Sequence, residues 1–207
     1  MGSVGKQYVI AVCGQKNSGK TTLIERMIRG LLERGLKTAV IKHDGHEFTC
    51  DGPGTDSDRF MAAGAAGTVV YSSSQMFVRR TFSGKEREAA GSLQDFGMRL
   101  LKYFPDADVL IIEGMKNSTA RKIEVVRRGI GTAPVSEPAG RILIVTDLPK
   151  ENFQEPAAGF EEMDRILGAV LDSADAEAVS ETGGADAEAA SGTGSADAED
   201  AVEARNE

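Results

Sequence analysis

A chain of 207 residues with a net charge of −8 has room for one domain and an appendage. The charge sits in the appendage: residues 171–207 hold eleven acids and one arginine, which leaves residues 1–170 at +2. A near-neutral domain gives no electrostatic case for nucleic acid, and no apolar run approaches the roughly 18 residues a membrane span needs. A soluble, cytoplasmic protein is the expectation.

The elements follow in chain order. Gln7–Cys13 reads as a first strand. A helix follows over about Lys20–Arg34, with Leu23, Ile24, Met27, Ile28, Leu31 and Leu32 on one face and Gly35 as its stop. Lys37–Lys42 is a second strand, and a polar loop runs from His43 to Thr55. Ser57–Ala63 suits a short helix, its first turn capped by an acid or serine. Strands are expected at Thr68–Tyr71 and Met76–Phe82, then a helix over about Glu86–Tyr103, stopped by Pro105. Asp108–Glu113 contains Val109, Leu110, Ile111 and Ile112 in succession and reads as a buried strand. Lys122–Arg127 and Arg141–Thr146 are further strands, and a last helix covers about Glu161–Leu171.

This alternation predicts an α/β fold, a mostly parallel sheet with helices on both faces. The domain spans residues 1–170. Residues 171–207 form a low-complexity tail in which Ala174–Glu177 recurs as Ala185–Glu188 and Ala196–Glu199, a spacing of eleven residues. Without an apolar stripe such a segment cannot offset its ordering entropy, and disorder is expected.

Ligands of parallel sheets gather at the carboxyl ends of strands. There the sequence Gly14-Gln15-Lys16-Asn17-Ser18-Gly19-Lys20-Thr21-Thr22 fits the phosphate-binding pattern G-x-x-x-x-G-K-[ST], between a strand and a helix as the pattern requires. Glycines allow the bends that aim amide N–H groups at phosphate oxygens. The helix N-terminus adds a favourable dipole. Lys20 would reach the β- and γ-phosphates, and the Thr21 hydroxyl would ligate Mg²⁺.

Other strand ends hold further candidates. Glu113 stands where such domains place a second acid near Mg²⁺; the plainer reading is a solvent-facing strand end. Asp56 serves either the helix start or the same ion, with Arg59 beside it. His43 and His46, with Asp44, Cys50 and Asp51, match no closed zinc pattern, and a polar loop near phosphates is the better account. Cys13 reads as core. Lys116, Arg121, Lys122, Arg127 and Arg128 form one basic group and Arg79, Arg80, Lys85 and Arg87 another: solvated charges, or seats for a second anion. Asp147 closes a strand where a carboxylate could accept two N–H bonds from guanine.

Taken together, the loop Gly14–Thr22, Ile41–His46, Asp51–Phe60 with Ala63–Ala65, Asp108–Lys116 and Lys122–Val125 resemble the molybdopterin-guanine dinucleotide biosynthesis adapter proteins of the MobB type. The resemblance covers roughly residues 7–150. It implies a P-loop NTPase of the class that includes dethiobiotin synthetase, with GTP and Mg²⁺ as ligands, a homodimer and weak GTPase activity. It implies a place beside the guanylyltransferase that attaches GMP to molybdopterin, without nucleic-acid or membrane partners. Carried over by position, Gly14, Asn17, Ser18, Gly19, Lys20, Thr21 and Thr22 would hold phosphates. Thr21, Asp56 and Glu113 would surround Mg²⁺, with Lys20 and Glu113 serving hydrolysis and Asp147 the guanine. An ATP-dependent ligase or kinase, its acidic acceptor held near Lys116 and Lys122, is the alternative. A third reading has GTP ordering the His43–Thr55 loop for a partner.

Overall fold

The computed structural model describes residues 7–43, 52–82 and 99–172, the Lys102 side chain apart. Residues 173–207 of the acidic tail, residues 44–51 with His46 and Cys50, and the basic residues Lys85 and Arg87 lie outside the described residues, as does most of the helix expected over 86–103.

Strands β1 (Tyr8–Gly14), β2 (Thr38–Lys42), β5 (Val109–Glu113), β6 (Lys122–Val126), β7 (Arg141–Thr146) and β8 (Ala157–Ala158) form one sheet, ordered β2-β5-β1-β6-β7-β8. Every neighbouring pair in it is parallel. The phosphate-loop strand is therefore interior, with β5 on one side and β6 on the other. Strand β5 carries apolar residues on both faces, so its four consecutive aliphatics are all buried.

Alternation along the strands assigns each residue to a face. Ile10, Val12, Val109, Ile111, Ile123, Val125, Leu143 and Val145 pack under α1 (Lys20–Glu33) and α3 (Met163–Leu171). Leu23, Ile24, Met27 and Leu31 complete that core from α1, and Ile166, Leu167 and Val170 from α3. On the opposite face, Ile41, Leu110 and Ile112 meet Leu101 of a short 3-10 helix, Leu100–Tyr103. That turn is what the described residues hold of the helix expected up to Tyr103.

The opposite face of β6 and β7 has a polar interior. Lys122 and Glu124 alternate with Ile123 and Val125, and they are 0% and 1% exposed. The Glu124 carboxylate accepts hydrogen bonds from the amides of Val135 and Ser136, the Ser136 hydroxyl and Arg141, whose Nη1 lies 3.2 Å away. Arg141 also binds Glu155. Lys122 donates to the Ser118 and Glu137 carbonyls. Buried charge persists only when paired and hydrogen-bonded. Here Glu124 is paired with Arg141 while Lys122 is held by carbonyls, and the set ties the segment after β6 down over the sheet.

Strands β3 (Gly67–Tyr71) and β4 (Met76–Arg80) form a separate antiparallel hairpin. They therefore do not extend the parallel sheet, as their place in the alternation had suggested. Helix α2 (Asp56–Ala62) packs on β3, and Arg79 joins it to the hairpin through Asp58 at 3.1 Å. Strand β8 has no signature in the sequence, because two alanines carry no strand signal. Helix α3 starts at Met163, and just before it the Glu162 carboxylate accepts the Gly159 amide, 2.6 Å away.

Candidate functional site

The loop between β1 and α1 turns through left-handed conformations at Asn17 (φ 63°) and Gly19 (φ 97°). Left-handed residues alternating with right-handed ones are the backbone pattern of the amide nests that receive anions. Gly19 is the N-cap of α1, yet no side chain caps the helix and no acid lies in its first turn. The first amides of any helix lack intrahelical partners. Here Thr21 and Thr22, which follow Lys20, are exposed at the mouth. The Lys20 ammonium lies over the loop and donates to the carbonyls of Gln15 at 2.7 Å and Gly14 at 3.2 Å. Positive charge, open amides and a helix N-terminus converge on one concavity. Such an arrangement takes an anion, a phosphate chain above all.

Ser18 is 1% exposed, and its hydroxyl has no hydrogen-bond partner. It lines a narrow cleft together with Gln15, Val125, Arg127, Ile130 and Gly131. Cys13, at the end of β1, is buried beneath the loop as expected. Burial pushes its thiol pKa up, as suits an inert core thiol.

Glu113 ends β5 in register with Val12 on one side and Lys42 on the other. Gly114 continues the pairing by donating its amide to the Val12 carbonyl at 2.9 Å. The Glu113 carboxylate is half-buried and makes no hydrogen bond or ion pair with a described residue. It therefore fits a hard cation one strand from the loop. Among the described residues no three His, Cys, Asp or Glu side chains converge. Mg²⁺ in such sites needs no such group, since it takes one or two carboxylates, phosphates and water.

Asp56 is exposed on α2, and its carboxylate stands 3.6 Å from Arg59. None of its polar contacts reaches the loop. Neither an acid nor a serine caps this helix. Thr55 does: its hydroxyl accepts the Asp58 amide, while Asp58 reaches back to the Gly54 amide. That bond and Arg79 hold the Asp58 carboxyl below its usual range. Asp147, at the end of β7, is exposed, and one of its oxygens already accepts the Arg128 amide at 2.7 Å.

The expected basic patch does not form as one surface. Lys122 is internal, Arg121 binds the Ala169 and Asp172 carbonyls, and Arg128 is tied to Asp147. Arg127 differs. Its guanidinium lies over the Phe160 ring at 5.3 Å and comes within 3.0 Å of where a Gly19 β-carbon would be. The basic run marks Arg127 as cationic, but its place beside the loop follows from the β1–β6 pairing, which sequence spacing does not disclose. The same holds for Gln15 against Gly131.

The sequence model of a family described as molybdopterin guanine dinucleotide synthesis protein B matches residues 9–147. A molybdopterin-guanine dinucleotide biosynthesis adapter protein of Escherichia coli (strain K12) is 33% identical over 143 residues, 68% of this chain and 79% of that one. A probable adapter protein of the same kind from Bacillus subtilis (strain 168) is 34% identical over 122 residues, 57% of this chain and 64% of that one. A crystal structure of molybdopterin-guanine biosynthesis protein B aligns with a TM-score of 0.58 at 26% identity, covering 79% of this chain and 98% of that one. The crystal structure of Bacillus subtilis MobB aligns at 0.53 with 25% identity, over 79% and 98%.

Proposed function

The chain belongs to the MobB family of molybdopterin guanine dinucleotide synthesis proteins, and from that premise we propose that it binds GTP with Mg²⁺ on Gly14–Thr22, hydrolyses it slowly, and acts as an adapter beside the guanylyltransferase that attaches GMP to molybdopterin. The observation that carries the nucleotide reading is the uncapped N-terminus of α1, opening on the nest with Lys20 over it.

In this reading the amides of Gly14–Thr22 and the Lys20 ammonium hold the phosphates. The Thr21 hydroxyl and Glu113 hold Mg²⁺, which supplies charge neutralisation at the β- and γ-oxygens. Asp56 is a third ligand on the resemblance alone, since its present contact is with Arg59. Asp147 reads guanine with the oxygen that Arg128 leaves unused. No described side chain is poised as a dedicated base, which suits slow turnover resting on electrostatic stabilisation.

Calorimetric titration with GTP and ATP tests this. Micromolar GTP binding that Lys20→Ala abolishes is expected. ATP binding with no preference for GTP would remove the guanine assignment. Of the two lysines that the ligase or kinase alternative would use for an acidic acceptor, Lys122 is internal and Lys116 exposed.

We also infer a homodimer. A two-stranded hairpin is marginal by itself in water, and this one exposes Val69, Tyr71, Met76 and Val78, each about half or more. A second copy covering that surface would stabilise it. Light scattering at the dimer mass, lost on Tyr71→Glu with Val69→Glu, is the expected result.

A further inference from the structure

We propose that Arg127 is a nucleotide-binding residue, its guanidinium gripping the α-phosphate and nucleoside end of the ligand that Lys20 holds at the other end. The proposal rests on the nucleotide reading above and adds to it a residue outside the phosphate-loop pattern.

Four observations carry it. Arg127 directly follows β6, the strand paired with β1, with Val125 in register with Gly14. Its Nη1 lies against Gly19, the N-cap of the helix that no side chain caps. Its guanidinium makes no hydrogen bond or ion pair with a described residue. What it does touch is the face of Phe160, and Phe160 is anchored in the main core. A guanidinium seated on an aromatic ring is pre-organised by cation–π attraction while its N–H edge stays available. The backbone is fixed as well, since the Arg127 carbonyl accepts the amides of Ile130 and Gly131, both at 3.1 Å. A structural arginine would be bonded to carboxylates or carbonyls, as Arg121, Arg128 and Arg141 are. Toward the described residues, Arg127 keeps its N–H donors unused beside the loop.

A second group points into the same cleft. The Ser18 hydroxyl is buried and unpartnered, and it lines that cleft with Arg127. A buried hydroxyl without a partner costs free energy that a ligand oxygen would recover.

Topology sets which end of the ligand Arg127 meets. Glu113, the candidate Mg²⁺ residue, ends β5, on one side of β1. Arg127 follows β6, on the other. Mg²⁺ bridges the β- and γ-phosphates, so the γ end lies toward β5. The α-phosphate and nucleoside then lie toward β6, β7 and β8, where Arg127, Asp147 and Phe160 follow successive strands.

The test is calorimetric titration of the full chain with GTP and with GDP, for wild type, Arg127→Ala, Arg127→Lys and Lys20→Ala. Arg127→Ala should weaken both nucleotides by a similar factor, about tenfold or more, as loss of a charge-assisted bond predicts. Arg127→Lys should recover part of that loss. Lys20→Ala should penalise GTP more than GDP. Unchanged affinities for Arg127→Ala, with Lys20→Ala still weakened, would overturn the proposal alone. A loss confined to GTP would overturn the assignment to the α end. If Lys20→Ala were also without effect, the nucleotide reading itself would fall. Arg127 is exposed, so a matching circular dichroism spectrum and melting curve will exclude misfolding as the cause.

Discussion

Gly14 and Val125 stand side by side on paired strands, so close that a β-carbon on Gly14 would lie 2.5 Å from the Val125 carbonyl oxygen. The same residue has φ 139°, a conformation that L side chains rarely adopt. Gly14 is thus fixed by its neighbour and by its own backbone, and the start of the loop is fixed with it. Gly14→Ala should cost about 2 kcal/mol or more through strain and overlap. Urea unfolding would register the loss, and calorimetry would register weakened nucleotide binding in whatever protein remains folded.

Gly30 sets two effects against each other. Replacing a helical glycine by alanine ordinarily gains about 1 kcal/mol. Here the added carbon would fall 2.6 Å from a methyl of Leu167, which is 1% exposed in the α1–α3 contact. Overpacking costs about 1–3 kcal/mol, so Gly30→Ala should leave the melting temperature unchanged or lower. A clear rise in the thermal scan would show that Leu167 moves aside at little cost.

Thr55 caps α2, and the Asp58 carboxylate accepts the amide of Gly54 just before it. Thr55→Ala should cost about 1 kcal/mol, felt mainly in α2 and the hairpin that Arg79 links to it. Hydrogen exchange is the suitable probe. Amides of Arg59 and Ala63 should exchange faster while those of β1 and β5 stay protected.

The Arg141–Glu155 pair carries a pH signature. The arginine holds the Glu155 carboxyl below its ordinary value of 4.5. A carboxyl depressed in the folded state stabilises fully above the unfolded value. That contribution fades as pH falls below 4.5 and through the folded value. Unfolding midpoints in urea at pH 7 and pH 3.5 should therefore differ more for wild type than for Glu155→Gln. The substitution itself should cost about 1 kcal/mol at pH 7, the difference between a charged and a neutral acceptor.

The tail offers a simpler expectation. Helix α3 ends at Leu171, with Val170 its last buried residue and Leu171 packed partly buried against the core. A chain ending at Asp172 should bind nucleotide as the full chain does, and matching titration curves would establish this.

The local grammar was legible in the sequence. Gly14 to Thr22 announced the loop because the spacing of glycine, lysine and threonine encodes a backbone shape that few other residues permit. Val109–Ile112 announced a central strand because only a strand buried on both faces has use for four aliphatics in a row. Leu23, Met27 and Leu31 announced the inner face of α1 by their period.

Pairing between distant segments was not legible. Lys122 and Glu124 look like surface charges beside Arg121 and Arg127, yet strand alternation and the chain folded over β6 put two of the four inside. Nothing local records which strand lies next to β1. The neighbours of the loop, namely Glu113 on one side and Arg127 on the other, were therefore decided by strand order alone. The sequence by itself determined the shape of the loop, since a strand–loop–helix turn of this kind is built from consecutive residues. Only the tertiary structure decided what surrounds it, because those contacts join residues about a hundred positions apart that parallel pairing brings to one edge of the sheet.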